Sequence, residues 1–366
     1  MGKLIHALGL MSGTSLDGVD LALMRTNGEV LIEPLRHGFS AYDEETRQAL
    51  RAALDVARDL PTPVLTDRAL WPEVLVMAES LVTQAHIEAV KAFLAGEDRP
   101  RLIGFHGQTI AHRPDEGVTL QVGDGEALAA CVGADVVGQF RLNDMAHGGQ
   151  GAPLAPLYHE VLAGPTRPQA VLNLGGIGNL TWLGEGDAIS AFDTGPANAL
   201  IDDWVMEKTG RAYDTDGALA AAGEVNDAAL NALMADPFFT QAPPKSLDRL
   251  DFDMSPVTGL SAEDGAATLT AFTAQCVAQA LALCPQKPTR LILCGGGRHN
   301  KTLCAMLAAR ADIGVVDCDI LGWQGDALEA QAFAWLAVRH VYGLAFSRPE
   351  TTGVRTPVSG GVLYKA

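Results

Sequence analysis

Basic side chains are scarce in this sequence. Lys and Arg number 26 against 44 Asp and Glu, which gives a formal net charge of −18. A surface field of that sign repels phosphate backbones and anionic membranes, and so argues against nucleic acid and membranes as partners. It also opposes small anions. Any phosphate-bearing ligand must therefore be held locally, by backbone N–H groups, a few basic side chains or a metal ion.

Cys-x-x-Cys pairs and long apolar runs are also absent, and we expect no leader segment. The six cysteines include no Cys-x-x-Cys pair, and five of them fall after residue 275, which indicates buried thiols in a reducing compartment. The first residues, Met1 to His6, lack a cleavage site. No apolar run approaches the roughly 20 residues of a membrane-spanning helix. We expect a soluble cytoplasmic protein.

The length and the apolar content indicate a folded protein of two domains. The chain has 366 residues, 48% of them hydrophobic, with 39 glycines. This composition excludes disorder and predicts sizeable cores with many tight turns. At roughly 150 residues per domain the length favours two.

Short apolar runs alternate with helical patterns in both halves of the chain. The first half opens with a strand, a tight turn and a strand (4–10 and 19–24), and the second half repeats that pattern (170–174 and 180–183). The other predicted strands are 102–105 and 290–294, and the predicted helices are 44–59, 73–94, 126–131, 197–208, 224–235, 262–283, 301–310 and 327–342. This indicates a duplicated α/β architecture. We place the domain crossing in the irregular stretch 143–156 and predict a first domain of residues 1–137 plus 356–366 and a second of residues 138–355.

The first predicted turn has the residues of an anion site. It comprises Ser12, Gly13, Thr14, Ser15, Leu16, Asp17, Gly18, Val19 and Asp20. Small residues leave backbone N–H groups able to close on a phosphate. Asp17 and Asp20 would repel that phosphate unless Mg²⁺, held mainly through water and phosphate oxygens, lies between them. The alternative is an ordinary Gly/Asp hairpin turn.

Two further segments could carry chemistry. Asp193 precedes a Gly195-Pro196 turn into a helix, where its carboxylate could act as a base or merely cap the helix. The triplet Gly295-Gly296-Gly297 follows a strand and would let a flat ligand or phosphate approach the backbone. It is not a P-loop, because Asn300 stands where the second glycine must be. Gly176-Ile177-Gly178 likewise lacks the third glycine and the helix of a dinucleotide fingerprint.

Several polar residues at predicted element ends suit the recognition of hydroxyl and carboxylate groups. They are His106, Gln108, Arg141, Asp144 and, early in an apolar helix, Glu329. For each histidine a structural hydrogen bond is an alternative, and the histidines lack the helical i,i+4 pairing of a metal site. Glu329 could equally be a first-turn residue favoured by the helix dipole. We interpret Asp248, Asp251 and Asp253 as solvated surface.

Seven motifs in order resemble those of the anhydro-N-acetylmuramic acid kinases of bacterial cell-wall recycling. They are Met11–Gly18, Phe105–Thr109, Gln121–Gly125, Gly148–Pro153, Asn173–Gly176, Phe192–Pro196 and Cys294–Gly297. The resemblance implies a fold of the actin, hexokinase and heat-shock ATPase superfamily, in which two similar α/β domains enclose a nucleotide in a cleft. It also implies a cytoplasmic homodimer.

The resemblance further implies an ATP- and Mg²⁺-dependent phosphotransferase that opens the 1,6-anhydro ring with water and phosphorylates O6. The products would be N-acetylmuramic acid 6-phosphate and ADP. Asp193 would activate the water, and the first turn would hold ATP phosphates. The second turn and its neighbours (Gly175, Gly176, Gly195 and Asn198) would also contact phosphate, and Gly295, Gly296, Gly297 and Asn300 would contact adenosine. The sugar would be held by His106, Gln108, Arg141, Asp144 and Glu329. Among these, only Arg141 offers a bidentate partner to the lactyl carboxylate of the sugar.

Three positions depart from the family pattern. Ala197 stands where glycine is usual, Arg298-His299 is bulkier than expected, and Lys245-Ser246-Leu247-Asp248 replaces a more polar, glycine-containing run. Two rival functions are a carbohydrate or acyl-phosphate kinase of the same superfamily without the hydrolytic step, and a catalytically idle nucleotide-binding protein. Product analysis separates the first, and the presence of Asp193 argues against the second.

Overall fold

The computed structural model describes residues 2–13, 15–247 and 252–366. Thr14 of the predicted phosphate turn, and Asp248 and Asp251 of the predicted acidic loop, lie outside the described residues. Internal contacts divide the chain into two units, Met1–Val161 with Ala327–Ala366, and Leu162–Asp326.

The first unit is built on a mixed seven-stranded sheet. Its strands are β1 (Ile5–Ser12), β2 (Gly18–Thr26), β3 (Ile32–Ala41), β4 (Leu102–Arg113), β5 (Val118–Val122), β6 (Asp135–Gly138) and β12 (Val362–Tyr364). The strand order is β12-β6-β4-β1-β2-β3, with β5 paired to β4. β1, β2 and β3 form an antiparallel meander, whereas β1, β4 and β6 are parallel.

Helices cover this sheet and supply its core. They are α1 (Glu44–Asp59), α2 (Thr62–Thr66), α3 (Glu73–Phe93), α4 (Gly125–Val132), α5 (Phe140–Ala146), α6 (Pro156–Leu162), α12 (Leu328–Val341) and α13 (Pro349–Thr352). The start of α1 is fixed by Asp43, whose side chain accepts the Thr46 N–H. Its buried residues Thr46, Leu50, Ala53 and Ala57 recur at helical spacing, which is why one face packs inward.

Helix α12 packs directly on the sheet of the first unit. A Cβ added at Gly9 of β1 would overlap the Ala330 carbonyl, and one added at Gly104 of β4 would overlap the Phe333 carbonyl. Only glycine allows backbones to approach this closely. The boundaries of the two units lie at 161/162 and 326/327 and differ from the predicted boundaries at 137/138 and 355/356. Residues 327–355 group with the first unit because α12 packs on β1 and β4. Residues 138–161 group with it as well, and the Tyr158 hydroxyl of α6 donates to the Gln331 side chain of α12.

The sheet of the second unit has the same strand order as five strands of the first unit's sheet. Its strands are β7 (Gln169–Leu174), β8 (Ile177–Leu183), β9 (Ile189–Pro196), β10 (Arg290–Cys294) and β11 (Gly314–Asp317). β7, β8 and β9 form an antiparallel meander, and β7 then pairs in parallel with β10, and β10 with β11. This is the β3-β2-β1-β4-β6 arrangement of the first unit, so the predicted duplicated α/β architecture is confirmed.

The helices of the second unit begin at side-chain caps where the sequence supplies them. They are α7 (Asn198–Thr209), α8 (Ala218–Ala221), α9 (Asp227–Leu233), α10 (Ala262–Ala282) and α11 (Lys301–Ala311). Asn226 accepts the Ala229 N–H at 2.9 Å and starts α9, so the predicted helix 224–235 was too long at both ends. Across the described residues, none of the helices is long and apolar enough to span a membrane.

Candidate active site

The turn between β1 and β2 is held by hydrogen bonds from residues of other segments. Gln108 Nε2 donates to the Gly13 carbonyl at 2.9 Å, and the Tyr42 N–H donates to the Asp17 carbonyl at 2.9 Å. Leu16 takes a left-handed backbone with φ of 57°, which an L-residue adopts only where its surroundings enforce it. The predicted site residues Gly13 and Gln108 are therefore in contact.

Ser12, just before this turn, belongs to a buried hydrogen-bond chain that no sequence motif indicated. The His86 Nδ1 lies 2.7 Å from the Val82 carbonyl, which can only accept, so Nδ1 carries the proton. Burial lowers the pKa of His86 to about 4, so the ring is neutral and Nε2 is an acceptor. The Ser12 hydroxyl, 3.0 Å from Nε2, donates to it. The Ser12 oxygen in turn accepts from the Tyr42 hydroxyl at 2.8 Å.

This chain changes the role expected of Ser12. Its hydroxyl proton is committed to His86, so Ser12 orients the turn, and any anion contact there would come from the backbone. The side chains of Leu16 and Val19 are buried in the core, which leaves them only backbone groups to offer. No local sequence signal connects these residues, because Tyr42 lies 30 residues and His86 lies 74 residues after Ser12.

The two aspartates of the predicted turn differ in exposure. Asp17 is exposed and accepts a hydrogen bond from the Ser15 hydroxyl at 2.6 Å, and Asp20 on β2 is half-buried. Within the described ranges one cluster of three potential metal ligands occurs, Asp317, Cys318 and Asp319, and it includes neither aspartate of the turn.

A second polar cluster in the first unit joins His106 of β4 to Arg141 of α5. The His106 Nδ1 lies 2.7 Å from the Gly107 carbonyl and must carry the proton. Arg141 Nη2 then donates to His106 Nε2 at 3.1 Å. Burial, followed by the Arg141 charge, lowers the pKa of His106 to about 3. His106 is thus a neutral acceptor that orients the Arg141 guanidinium and is not itself a proton donor at neutral pH.

The other predicted sugar residues have different environments. Asp144 is fully buried, and its two oxygens accept from the Gly151 N–H and the Thr352 hydroxyl, each at 2.6 Å. It therefore organises the glycine-rich loop after α5. Gln108 is also fully buried, and its Oε1 has no hydrogen-bond partner among the described residues. Glu329 is half-buried in the first turn of α12.

In the second unit, the β7–β8 turn pairs with the start of α7. The Gly175 carbonyl accepts the Asn198 N–H at 2.9 Å, and the Gly176 carbonyl accepts those of Ala197 and Ala199 at 2.9 and 3.2 Å. These three N–H groups are hydrogen-bonded inside the protein and are therefore not available to an anion. Because a trans peptide directs its C=O and N–H oppositely, the N–H groups of Gly176 and Ile177 point away from α7.

Asp193 lies on β9 and is buried, at 8% exposure. Its Oδ2 accepts the Leu247 N–H at 2.9 Å, and its own N–H donates to the Lys245 carbonyl at 2.9 Å. Hydrogen bonds to a carboxylate oxygen favour the ionised form. The segment 245–247, which in the sequence stands out only as a departure from the family pattern, therefore holds Asp193 in place. Gly195, two residues on, packs against Cys276 with a φ of 148°.

The glycines of the triplet are not equivalent. A Cβ on Gly295, whose φ is 76°, would overlap the Asn173 side chain, and one on Gly297 would lie 2.7 Å from Leu174 and 2.9 Å from Asn198. These two glycines serve internal packing. Gly296 has nothing within 4 Å of the same position, so it is the residue beside open space that a ligand could use.

Asn300 and Arg298, after the triplet, are engaged within the protein. The Asn300 side chain caps α11 by accepting the Leu303 N–H at 2.9 Å. Arg298 is almost fully buried and forms ion pairs with Asp317, Asp319 and Asp326. The bulk of Arg298 is thus accommodated by these three acidic partners.

Comparison with known proteins accounts for the motifs. The family model for anhydro-N-acetylmuramic acid kinase matches residues 5–366. Proteins of that name from Rhizorhabdus wittichii and Zymomonas mobilis are 51% and 50% identical, over 98% of this chain and 98% and 99% of their own lengths. One from Rhodospirillum rubrum is 50% identical over 99% of this chain and 95% of its length.

Solved structures give weaker likenesses. Component A of (R)-2-hydroxyglutaryl-CoA dehydratase from Acidaminococcus fermentans matches with TM-score 0.46 and 13% identity, over 92% of this chain and 99% of that one. A glucokinase from Streptomyces griseus, in complex with glucose and AMPPNP, matches with TM-score 0.40 and 13% identity, over the same shares. Neither value supports a conclusion about activity. The family model and the three relatives confirm the resemblance drawn from the seven motifs, and the chain belongs to the anhydro-N-acetylmuramic acid kinase family.

Proposed function

We propose that the chain opens the 1,6-anhydro ring of anhydro-N-acetylmuramic acid with water and transfers the γ-phosphoryl group of ATP to O6. The C1–O6 bond breaks, an oxygen–C1 bond to water forms, and O6 takes the phosphoryl group. The products are N-acetylmuramic acid 6-phosphate and ADP, as expected for an enzyme of peptidoglycan recycling. Membership of the family and the held carboxylate of Asp193 support this reaction.

Asp193 is the proposed base. Attack of water on C1 needs a group that accepts a proton as the new bond forms. A carboxylate does so when it is ionised and held in one orientation. The Leu247 N–H on Oδ2 favours both conditions, and this contact is the observation on which the proposal rests.

ATP is proposed to bind through both glycine turns and the triplet. In the first unit the backbone around Gly13 and Ser15 would hold phosphate, with Thr14 included on the sequence motif alone. In the second unit the outward N–H groups of the β7–β8 turn and the open face at Gly296 would contact the nucleotide.

Mg²⁺ fits the donor chemistry of the first turn. Asp17 is exposed and Asp20 half-buried, and carboxylate oxygens are ligands that Mg²⁺ accepts while keeping several waters. When bound, the ion would neutralise charge on the migrating phosphoryl group. We expect turnover to stop in excess chelator and to return when Mg²⁺ is added.

The sugar is proposed to bind to the first unit's polar cluster. Arg141, oriented by His106, offers a bidentate partner for the lactyl carboxylate. The buried, unsatisfied Gln108 Oε1 suits a sugar hydroxyl, because a buried acceptor without a partner is costly. Asp144 would act by holding the loop after α5, and Glu329 remains a proposed sugar contact. We also propose a homodimer, which light scattering on the purified protein can test.

The variant Asp193→Asn tests the proposed base. Asparagine keeps the shape of the side chain but cannot accept the proton, so turnover should be lost while ATP affinity, measured by calorimetry, stays close to that of the unaltered chain. Asp187→Asn, at an exposed turn of the same unit, is the matched control and should retain activity. Full turnover by Asp193→Asn would refute the assigned role.

A further inference from the structure

A buried ammonium group lies next to the strand that carries Asp193. Lys245 is only 4% exposed. Its Nζ donates to the Phe238 carbonyl at 2.6 Å and lies 4.1 Å from the centre of the Phe238 ring and 5.9 Å from that of Phe192. Phe192 is the residue immediately before Asp193. Such a burial of charge is expensive and is retained only where its surroundings compensate it.

The backbone of the same segment holds Asp193 at two points. The Lys245 carbonyl accepts the Asp193 N–H, and the Leu247 N–H donates to Asp193 Oδ2, both at 2.9 Å. Lys245 therefore begins a three-residue segment whose side-chain anchor is the Phe238 carbonyl and whose far end contacts the carboxylate. Loss of the anchor would free the segment that supplies the Leu247 N–H.

The charges around Lys245 single out Asp193. Burial lowers the pKa of Lys245 to about 8, and its described titratable neighbours are Cys276 and Asp193, whose negative charge favours the ammonium form. Burial raises the pKa of the Cys276 thiol well above its usual value, so that group is neutral near pH 7. Among these neighbours Asp193 is therefore the group whose negative charge, when it is ionised, acts on the Lys245 ammonium.

We propose that Lys245 is a positioning residue for Asp193, which anchors the segment 245–247 at Phe238 and favours the ionised carboxylate with its positive charge. This inference rests on the proposed role of Asp193 as the base. Nothing in the sequence pattern indicated this role for Lys245, because Phe192 and Asp193 of β9 lie more than 50 residues before it in the chain.

Substitution of Lys245 tests the inference. Lys245→Met removes the charge and the anchor, whereas Lys245→Gln removes the charge but keeps an N–H donor. We expect kcat to fall by about 10- to 100-fold in Lys245→Met, with the acid limb of the kcat profile moved to higher pH and the ATP KM within about twofold. Lys245→Gln should show the same movement of the acid limb. Lys287→Met, at an exposed lysine of the same unit, is the control and should leave all three quantities unchanged.

A purely structural role gives a different result. It would reduce kcat only in proportion to the folded fraction, measured by circular dichroism, with the acid limb in place, and that outcome would overturn the inference. Activity of Asp193→Asn would instead refute the proposed function, so the two failures are distinguishable.

A reciprocal measurement needs no change at Lys245. If the ammonium favours the Asp193 carboxylate, the carboxylate must favour the ammonium equally. NMR titration of the Lys245 Cε resonance should therefore give a lower pKa in Asp193→Asn than in the unaltered chain. An equal pKa in both proteins would contradict the inference.

Discussion

At the scale of single residues, neutral imidazoles and buried donors determine what the polar side chains can do. His86 and His106 each give Nδ1–H to a backbone carbonyl and use Nε2 to accept from Ser12 and Arg141, respectively. The sequence indicated Ser12, His106 and Arg141 as site residues, but it did not indicate which ring nitrogen donates and which accepts. Hydrogen-bond direction depends on carbonyls and rings brought together by folding, which residue spacing does not contain.

Tyr42→Phe tests the chain of hydrogen bonds at Ser12. It removes the hydroxyl that donates to the buried Ser12 oxygen while keeping the ring, so the free energy of unfolding should fall by about 1 kcal/mol. The ATP KM should rise and the sugar KM should stay constant, because Ser12 orients the proposed phosphate turn. Tyr213→Phe, at an exposed tyrosine, is the control. An ATP KM equal to that of the unaltered chain would show that the Ser12 network has no part in nucleotide binding.

Lys245 also predicts a pH dependence of stability. Its pKa is about 8 in the folded state and near its usual 10.5 when unfolded. Between these values the unfolded chain binds more protons, so stability should rise with pH across this window. Urea unfolding at several values from pH 7 to 10.5 should show a steeper rise for the unaltered chain than for Lys245→Met. Parallel curves would mean that the buried ammonium is not penalised.

At the scale of elements, the sequence predicts where strands and helices lie better than it predicts which groups hydrogen-bond to their ends. The periodicity of 44–59 and 290–294 predicted α1 and β10 at the bounds observed. The extent of α9 was overestimated, since the Asn226 cap sets its start. The first N–H groups of α7 donate to carbonyls of the β7–β8 turn, which the sequence did not indicate. Such carbonyl partners come from another element and leave no local signal.

The triplet after β10 gives a prediction about one glycine. Gly296→Ala adds a Cβ into open space, so stability should be unchanged while the ATP KM rises, because the added methyl reduces room for the nucleotide. Gly259→Ala, which also has nothing near its Cβ, should change neither quantity. Thermal unfolding and steady-state kinetics measure both. An unaltered ATP KM in Gly296→Ala would place the nucleotide elsewhere.

At the scale of the whole molecule, the chain consists of two units with the same strand order. The first contains the Ser12 turn and the His106–Arg141 cluster, and the second contains Asp193, Lys245 and the triplet. The hydrophobic pattern revealed the duplication. It did not give the unit boundaries, because α12 joins the first unit through close contacts with Gly9 and Gly104, more than 200 residues away in sequence. The family, by contrast, was evident from motif order alone.

The central claim, that one reaction both hydrolyses the anhydro ring and phosphorylates O6, is tested most directly by oxygen labelling. The protein is incubated with ATP, Mg²⁺ and anhydro-N-acetylmuramic acid in ¹⁸O-water, and the product is analysed at once by mass spectrometry. Unlabelled N-acetylmuramic acid 6-phosphate kept in the same water corrects for spontaneous exchange at C1. The account predicts a single label at the anomeric hydroxyl and none in the phosphate ester. A phosphorylated product without label at C1, or label in the phosphate, would contradict it.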